Sequence, residues 1–183
     1  MRAKHRLMRV RTIALALAGA LAAAGCSSHA REAGNVTGVA AVGAPAPAFD
    51  EATAGGGMLS SSALRGKAVY LNFFASWCPP CNAEAPALER LQRRYASRGL
   101  QIVGVDVLED AAIARSFARK YGLTYPIVVD GGALVHAYAV NGLPVHAFID
   151  RDGVLRAVVV GELDERQMIA HVRTLVAPSA PRR

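Results

Sequence analysis

Cysteine is scarce in this chain of 183 residues: there are three, and two of them form a single Cys-x-x-C pair, Cys78 and Cys81. That scarcity excludes several roles. A structural zinc site takes about four ligands, and the pair supplies two. The candidate histidines, His136 and His146, stand beside different predicted elements with no ligand spacing between them, so no metal site is predicted. Asn82 occupies the place where a c-type haem attachment carries histidine. A bridge across two intervening residues removes little chain entropy, so it is a poor structural staple.

Long apolar runs are also missing. The longest opening run, Thr12 to Ala24, follows a basic stretch with Arg2, Lys4, Arg6, Arg9 and Arg11. It falls short of the roughly 20 apolar residues a membrane span needs. Basic residues, a short apolar run and then small residues describe an export signal over residues 1–25. The formal charge of +7 belongs mostly to that segment: 21 Lys and Arg less these five leaves 16 against 14 acids, a net +2. A nearly balanced remainder with no basic stripe gives no case for nucleic acid. Internal repeats are absent too. The hydrophobic fraction of 52% supports a packed core rather than a disordered chain.

Cys26 follows Leu21-Ala22-Ala23-Ala24-Gly25, which resembles a bacterial lipobox with Ala23 where leucine is usual. The reading is a lipidated Cys26 that ties the chain to a membrane. Ordinary cleavage near Ala24 or after Ala30 is the alternative. Residues 26–46 lack periodicity and are rich in Gly and Ala, so they read as a flexible tether.

From Pro47 the pattern sharpens. Ala48 to Thr53 and Met58-Leu59 flank Gly55-Gly56-Gly57 and predict a hairpin, followed by a helical turn capped by Ser62. Ala68 to Phe74 is a continuous apolar run suited to a central strand covered on both faces. A helix is predicted from Pro79 to about Arg98, a strand over Gln101–Val107, a helix from Glu109 to Tyr121 with Ile113, Phe117 and Tyr121 on its core face, and a strand over Pro126–Val129. A short helical segment, Ala133 to Tyr138, precedes Asn141-Gly142-Leu143-Pro144. Val145–Ile149 and Val154–Val160 flank the acidic turn Asp150-Arg151-Asp152-Gly153, a strong hairpin signal. Asp164 caps a last helix whose core face is Met168, Ile169, Val172, Leu175 and Val176, and residues 178–183 read as a disordered tail. Strands alternating with helices, then an antiparallel pair and a closing helix, give an α/β domain over 47–177 with a mixed sheet.

Cys78 falls where the buried strand ends and the helix begins. A helix N-terminus has unpaired N–H groups and a partial positive charge, which favour a thiolate over a thiol. Pro79 suits the first helical position. Pro80 has no N–H either, so donors for the Cys78 sulfur come from Cys81 onward. Cys81, one turn in, is predicted to be the more buried of the two and to resolve a mixed disulfide. Trp77 either shields the sulfur from water or packs in the core.

WCPPC after a strand resembles the thioredoxin superfamily. VYLNFFASWCPPCNAEAP, the strand-helix insertion from Gln101 to Asp130, and GLPVHAFIDRDG are together similar to its membrane-tethered TlpA/ResA-like thiol-disulfide oxidoreductases. The resemblance implies a thioredoxin-like fold with an N-terminal hairpin and that central insertion. It implies a redox-active Cys78–Cys81 disulfide with no other cofactor. Pro86 matches the fold's helix-kinking proline. Pro144 matches its cis proline, which lets the Leu143 backbone pair with an extended substrate segment near Trp77. The implied partners are disulfide-bearing envelope proteins, with apocytochrome c or copper-site assembly proteins as clients, and a membrane thiol carrier as electron donor. The implied place is the bacterial periplasm or cell envelope.

Two departures matter. Asn72 stands six residues before Cys78, where thioredoxin has a buried aspartate, and Val145-His146 follow the proline in place of Thr and a hydrophobe. The tethered branch often shares the Asn and places a glutamate where Glu84 stands. Residue spacing supports a role for it independently. Glu84, Leu88, Leu91 and Tyr95 share one helix face. A buried carboxyl holds a proton more readily than a solvated one, which suits a group that takes the Cys81 proton and returns it. The alternative is a solvated acid that complements the helix dipole. His146 is predicted to face solvent from its strand, and His136 and His171 to lie on helix surfaces.

Two other functions remain open. The opening APAPAF…LRGKAVYLNFFA also resembles peroxiredoxins, but Ala75 and Leu71 stand where that family carries Thr or Ser and a proline. A copper chaperone of the same fold would use C-x-x-x-C with a committed histidine.

Overall fold

The computed structural model describes residues 35–177. The predicted export signal, Cys26, the first part of the tether and the tail after Ala177 lie outside the described residues.

Five strands form the main sheet: β4 (Ala68–Phe74), β5 (Leu100–Val107), β6 (Ile127–Asp130), β7 (Val145–Ile149) and β8 (Leu155–Val160), in the order β6-β5-β4-β7-β8. The pairs β4–β5 and β5–β6 are parallel, while β7 runs antiparallel to β4 and β8. Every residue of β4 is buried, as its unbroken apolar run requires of a strand at the sheet's centre. Its side chains split between two cores. Tyr70 and Phe74 face helices α1 (Pro79–Tyr95), α2 (Ala111–Tyr121) and α4 (Glu165–Val176); Leu71 and Phe73 face the opposite layer with α3 (Ala133–Ala137). Close packing beneath the redox segment also dictates Gly104: a Cβ there would lie 3.1 Å from both Phe74 and Ile127.

A second, three-stranded sheet covers the α3 side: β1 (Asn35–Thr37), β2 (Ala48–Ala52) and β3 (Met58–Ser60), all antiparallel. The predicted hairpin is β2–β3. The strand β1 and the stretch behind it correct the reading of 26–46 as tether throughout. Ala40, Gly43 and Ala46 donate backbone hydrogen bonds to Ala137, Leu155 and Gly153, respectively. Sequence periodicity could not reveal this, because the segment is held by scattered backbone hydrogen bonds and a few apolar contacts at Val36, Ala40 and Ala46 that form no regular pattern.

Three local readings also shift. The turn after β3 is a 3-10 helix over Ser61–Leu64 capped by Ser60, not Ser62; the Ser60 hydroxyl accepts from the Ser62 N–H. Asp110 caps α2, accepting from the N–H groups of Ala112 and Ile113, so Glu109 stands free of the helix. The core face of α2 is centred on Ala114 and Phe117, with Ile113 turned to its edge and 39% exposed. Asp164 forms the expected cap of α4, as a full capping box with Gln167.

Candidate active site

The site lies at the end of β4, where the chain leaves the sheet through Ala75-Ser76-Trp77 and enters α1. Cys78 is the N-cap of that helix, and Pro79 and Pro80 fill its first two positions. With both prolines lacking an N–H, the donor that reaches the Cys78 sulfur is the Cys81 N–H, at 3.3 Å. Cys78 and Cys81 are joined as a disulfide with Cα atoms 5.3 Å apart. Their burial scarcely differs, at 3% and 2% exposed, so exposure does not separate their roles as anticipated. Trp77 is 69% exposed. It is therefore a surface residue beside the disulfide, which rules out the core-packing role.

Two side chains that sequence reasoning passed over brace this loop. The Asn82 amide donates to the carbonyls of Ser76 and Cys78, each at 2.8 Å, and its oxygen accepts from the Tyr121 hydroxyl and the Lys120 ammonium. The Glu109 carboxylate accepts from the Ser76 N–H and hydroxyl, each at 2.6 Å. All the hydrogen-bonding groups of Ser76 are thereby engaged, which fixes the backbone that presents Cys78. Behind Glu109 lies Asp106, fully buried and opposite Phe74 in the β4–β5 register. No donor among the described residues reaches either of its oxygens. Burial first, then the Glu109 carboxylate, pushes its pKa up to about 8. The sequence signal was an acid inside an otherwise apolar strand.

Glu84 lies on the core face of α1, as its spacing predicts, and is buried. Its Oε1 accepts from the Leu163 N–H at 2.5 Å, and its Oε2 is buried with no hydrogen-bond partner among the described residues. The solvated helix-dipole alternative therefore fails for this residue.

His146 overturns its expected placement. It is fully buried, because β7 sits between β4 and β8 and both its faces are covered. Its Nε2 lies 3.1 Å from the Gly161 carbonyl and 3.5 Å from Glu84 Oε1; its Nδ1 lies 2.9 Å from the Tyr70 hydroxyl and 3.3 Å from the Asn72 amide nitrogen. The five-residue apolar frame of VHAFI was the missed signal. His171 is half-buried rather than on the surface, its ring stacked on Phe148 at 4.3 Å, whereas His136 is exposed as expected. The Leu143–Pro144 bond is cis. Pro144 is buried, its carbonyl accepts from the Gly161 N–H at 2.9 Å, and the Leu143 backbone makes no hydrogen bond among the described residues. Among those residues, no cluster of three or more Cys, His, Asp or Glu is placed to hold a metal ion.

Comparison with known proteins agrees with this geometry. The Redoxin family matches residues 41–176. The thiol-disulfide oxidoreductase ResA of Geobacillus thermodenitrificans is 34% identical, over 94% of this chain and 98% of its own. ResA of Geobacillus kaustophilus is 35% identical over 74% of this chain and 78% of its own. Among solved structures, a thioredoxin-family thiol:disulfide interchange protein from Chlorobium tepidum is 32% identical, over 76% of this chain and all of that one, with a TM-score of 0.69. A secreted Mycobacterium tuberculosis disulfide oxidoreductase is 27% identical, over 69% of this chain and 96% of that one, with a TM-score of 0.64. With a Cys-x-x-C disulfide at the head of α1 on a thioredoxin-like sheet, and with these relatives, the chain belongs to the Redoxin family and is a thiol-disulfide oxidoreductase.

Proposed function

We propose that this protein is exported, is anchored to a bacterial membrane through a lipid on Cys26, and reduces disulfides in other proteins of the periplasm or cell envelope. The observation that carries the reading is the position of Cys78: its sulfur caps the N-terminus of α1, where the Cys81 N–H already points at it. On reduction, that donor and the helix end favour the Cys78 thiolate. The thiolate attacks one sulfur of a client disulfide, forming a Cys78–client mixed disulfide and releasing one client thiolate, which takes up a proton. Cys81 then loses its proton to Glu84 and attacks the Cys78 sulfur. The Cys78–Cys81 disulfide forms, the second client thiolate leaves, and Glu84 returns the proton to it. The client gains two electrons and two protons. The protein supplies both electrons and, through Glu84, the Cys81 proton. The solvent supplies the other proton, having received that of Cys78 when its thiolate formed, and a membrane thiol carrier restores the dithiol. The unpartnered Oε2 of Glu84 supports the proton step.

The client pairs with the free backbone of Leu143 beside cis Pro144, with Trp77 on the flank. The similarity to a secreted disulfide oxidoreductase of solved structure supports an extracytoplasmic site of action. Apocytochrome c and copper-site assembly proteins are the proposed clients.

Trapping tests the reading. Cys81→Ser leaves Cys78 able to attack but removes the resolving thiol, so mixed disulfides with envelope proteins accumulate and vanish on reduction, while Cys78→Ser traps almost none. Equal trapping by the two variants would overturn the assigned roles. Stoichiometric binding of copper(I), or peroxide turnover, without disulfide reduction would favour the chaperone or peroxidase reading instead.

A further inference from the structure

Four polar groups from three parts of the fold converge on His146. Tyr70 and Asn72 come from β4, Glu84 from α1, and the Gly161 carbonyl from the segment between β8 and α4; the Leu163 N–H from the same segment reaches Glu84. The four side chains around that point are all buried. Buried polar groups in low dielectric are consequential whether paired or unpaired, so the direction of each hydrogen bond matters.

Those directions are fixed by the partners. The Asn72 amide nitrogen can only donate. Burial, then Glu84 and Tyr125, holds the Tyr70 phenol well above its ordinary pKa, so it keeps its proton and is able to donate to Nδ1 beside the Asn72 amide. Both donors face Nδ1, which therefore presents a lone pair. Nε2 faces only oxygens, the Gly161 carbonyl and Glu84 Oε1, and therefore carries the hydrogen. These partners favour a hydrogen on Nε2, directed at the Gly161 carbonyl, with Glu84 Oε1 3.5 Å from the same nitrogen.

The two oxygens of Glu84 are thereby made different. Oε1 takes the Leu163 N–H and faces the imidazole N–H; Oε2 has no partner among the described residues. We infer that His146 is a positioning residue: with Leu163 it holds Glu84 by Oε1, so that Oε2 is the atom that accepts the Cys81 proton. The inference rests on the reading that Glu84 takes that proton. His146 does not touch the reacting sulfurs; it acts through the carboxyl. The same Gly161 that accepts from His146 donates to Pro144, so one backbone residue supports both the acid and the proposed client loop. The other titratable groups facing this cluster are Tyr125, whose phenol is pushed up by burial, by Glu89 and by Glu84, and His171 on α4, pushed down by burial and by His146. The two cysteines complete the set.

The test uses the full-length protein and two readouts. Nitrogen NMR of the His146 ring in the oxidised wild type should show the Nε2–H tautomer; an Nδ1–H ring overturns the inference. Stopped-flow reduction of an exposed disulfide from about pH 5 to about pH 9 supplies the second readout. Glu84→Gln should slow exchange about 10- to 100-fold, at the low end of general-base contributions. His146→Phe should slow exchange about 10-fold, and His146→Gln, which restores a donor, should recover most of the loss. The double variant Glu84→Gln/His146→Phe should be no slower than Glu84→Gln alone, since the two act on one step. If His146→Phe does not fold, Tyr70→Phe removes a donor from Nδ1 and should mix the tautomers while slowing exchange several-fold. A Glu84→Gln profile identical to wild type sinks the Glu84 reading itself. A slowed Glu84→Gln beside wild-type rates for His146→Phe, or for Tyr70→Phe, leaves that reading standing and overturns the role of His146.

Discussion

Asp106 makes stability fall as pH rises, and Asp106→Asn should remove that loss. The carboxyl is fully buried behind the redox loop, and it faces Glu109, whose oxygens are both committed to Ser76. Burial and the Glu109 charge raise its pKa from 3.8 to about 8. The folded protein therefore keeps a proton there that the unfolded chain gives up near pH 3.8. The stabilisation is complete below the unfolded value and is lost as pH rises toward the folded one. Each pH unit in that window is worth about 1.4 kcal/mol, so the ceiling across it is about 6 kcal/mol. Loop relaxation and water entry around the carboxylate absorb much of this, leaving about 2 kcal/mol. The amide that Asp106→Asn introduces keeps the size of the acid, carries no charge and does not titrate. The variant should match wild type near about pH 4 and exceed it near about pH 8 by about 2 kcal/mol, or about 6 °C in Tm for a domain of this size. Thermal melts of the oxidised protein followed by circular dichroism would measure it. Glu51 also titrates in this window, pushed to about 7 by burial, Asp130 and Asp50. The readout is therefore the difference between the two proteins, not the wild-type curve. Parallel curves of Tm against pH would refute the reasoning.

Two further outcomes are expected. Asn82→Ala removes two hydrogen bonds to the redox loop, so it should cost about 2 kcal/mol and slow disulfide exchange several-fold; unchanged melts and rates would show that the loop holds itself. Full-length protein expressed in bacteria should take up labelled palmitate and partition into detergent, and Cys26→Ala should lose the label. A soluble wild-type protein beginning at residue 25 or 31 would sink the anchor.

Much of the frame was legible because its causes are local. The continuous run Ala68–Phe74 marked the central strand, and all seven residues are buried. Asp164 marked the start of α4, and the structure completes the cap as a box with Gln167. The four-three-four spacing of Glu84, Leu88, Leu91 and Tyr95 placed the carboxyl on the core side of α1, and all four are buried. What misled was judging a face from its own strand. In VHAFI, a single polar residue in an apolar run was read as pointing to water. Glu109 was read as the first residue of a helix, whereas Asp110 caps the helix and leaves the Glu109 carboxylate to Ser76.

The sequence by itself determined the strand-to-helix junction that carries Cys78 and Cys81, the position of Glu84 on its helix and the cap of α4, since each depends on residues within a few positions of one another. Only the tertiary structure decided what surrounds them. Tyr70 and His146 are 76 residues apart, and they meet because β7 returns antiparallel beside β4 while β8 closes its far edge. Ser76 and Glu109 are 33 apart, and they meet because β5 runs parallel to β4 and ends at the same level. Strand order decides which polar groups lose their water together. Burial and a partner's charge, which no local pattern encodes, then decide which of them keep their protons.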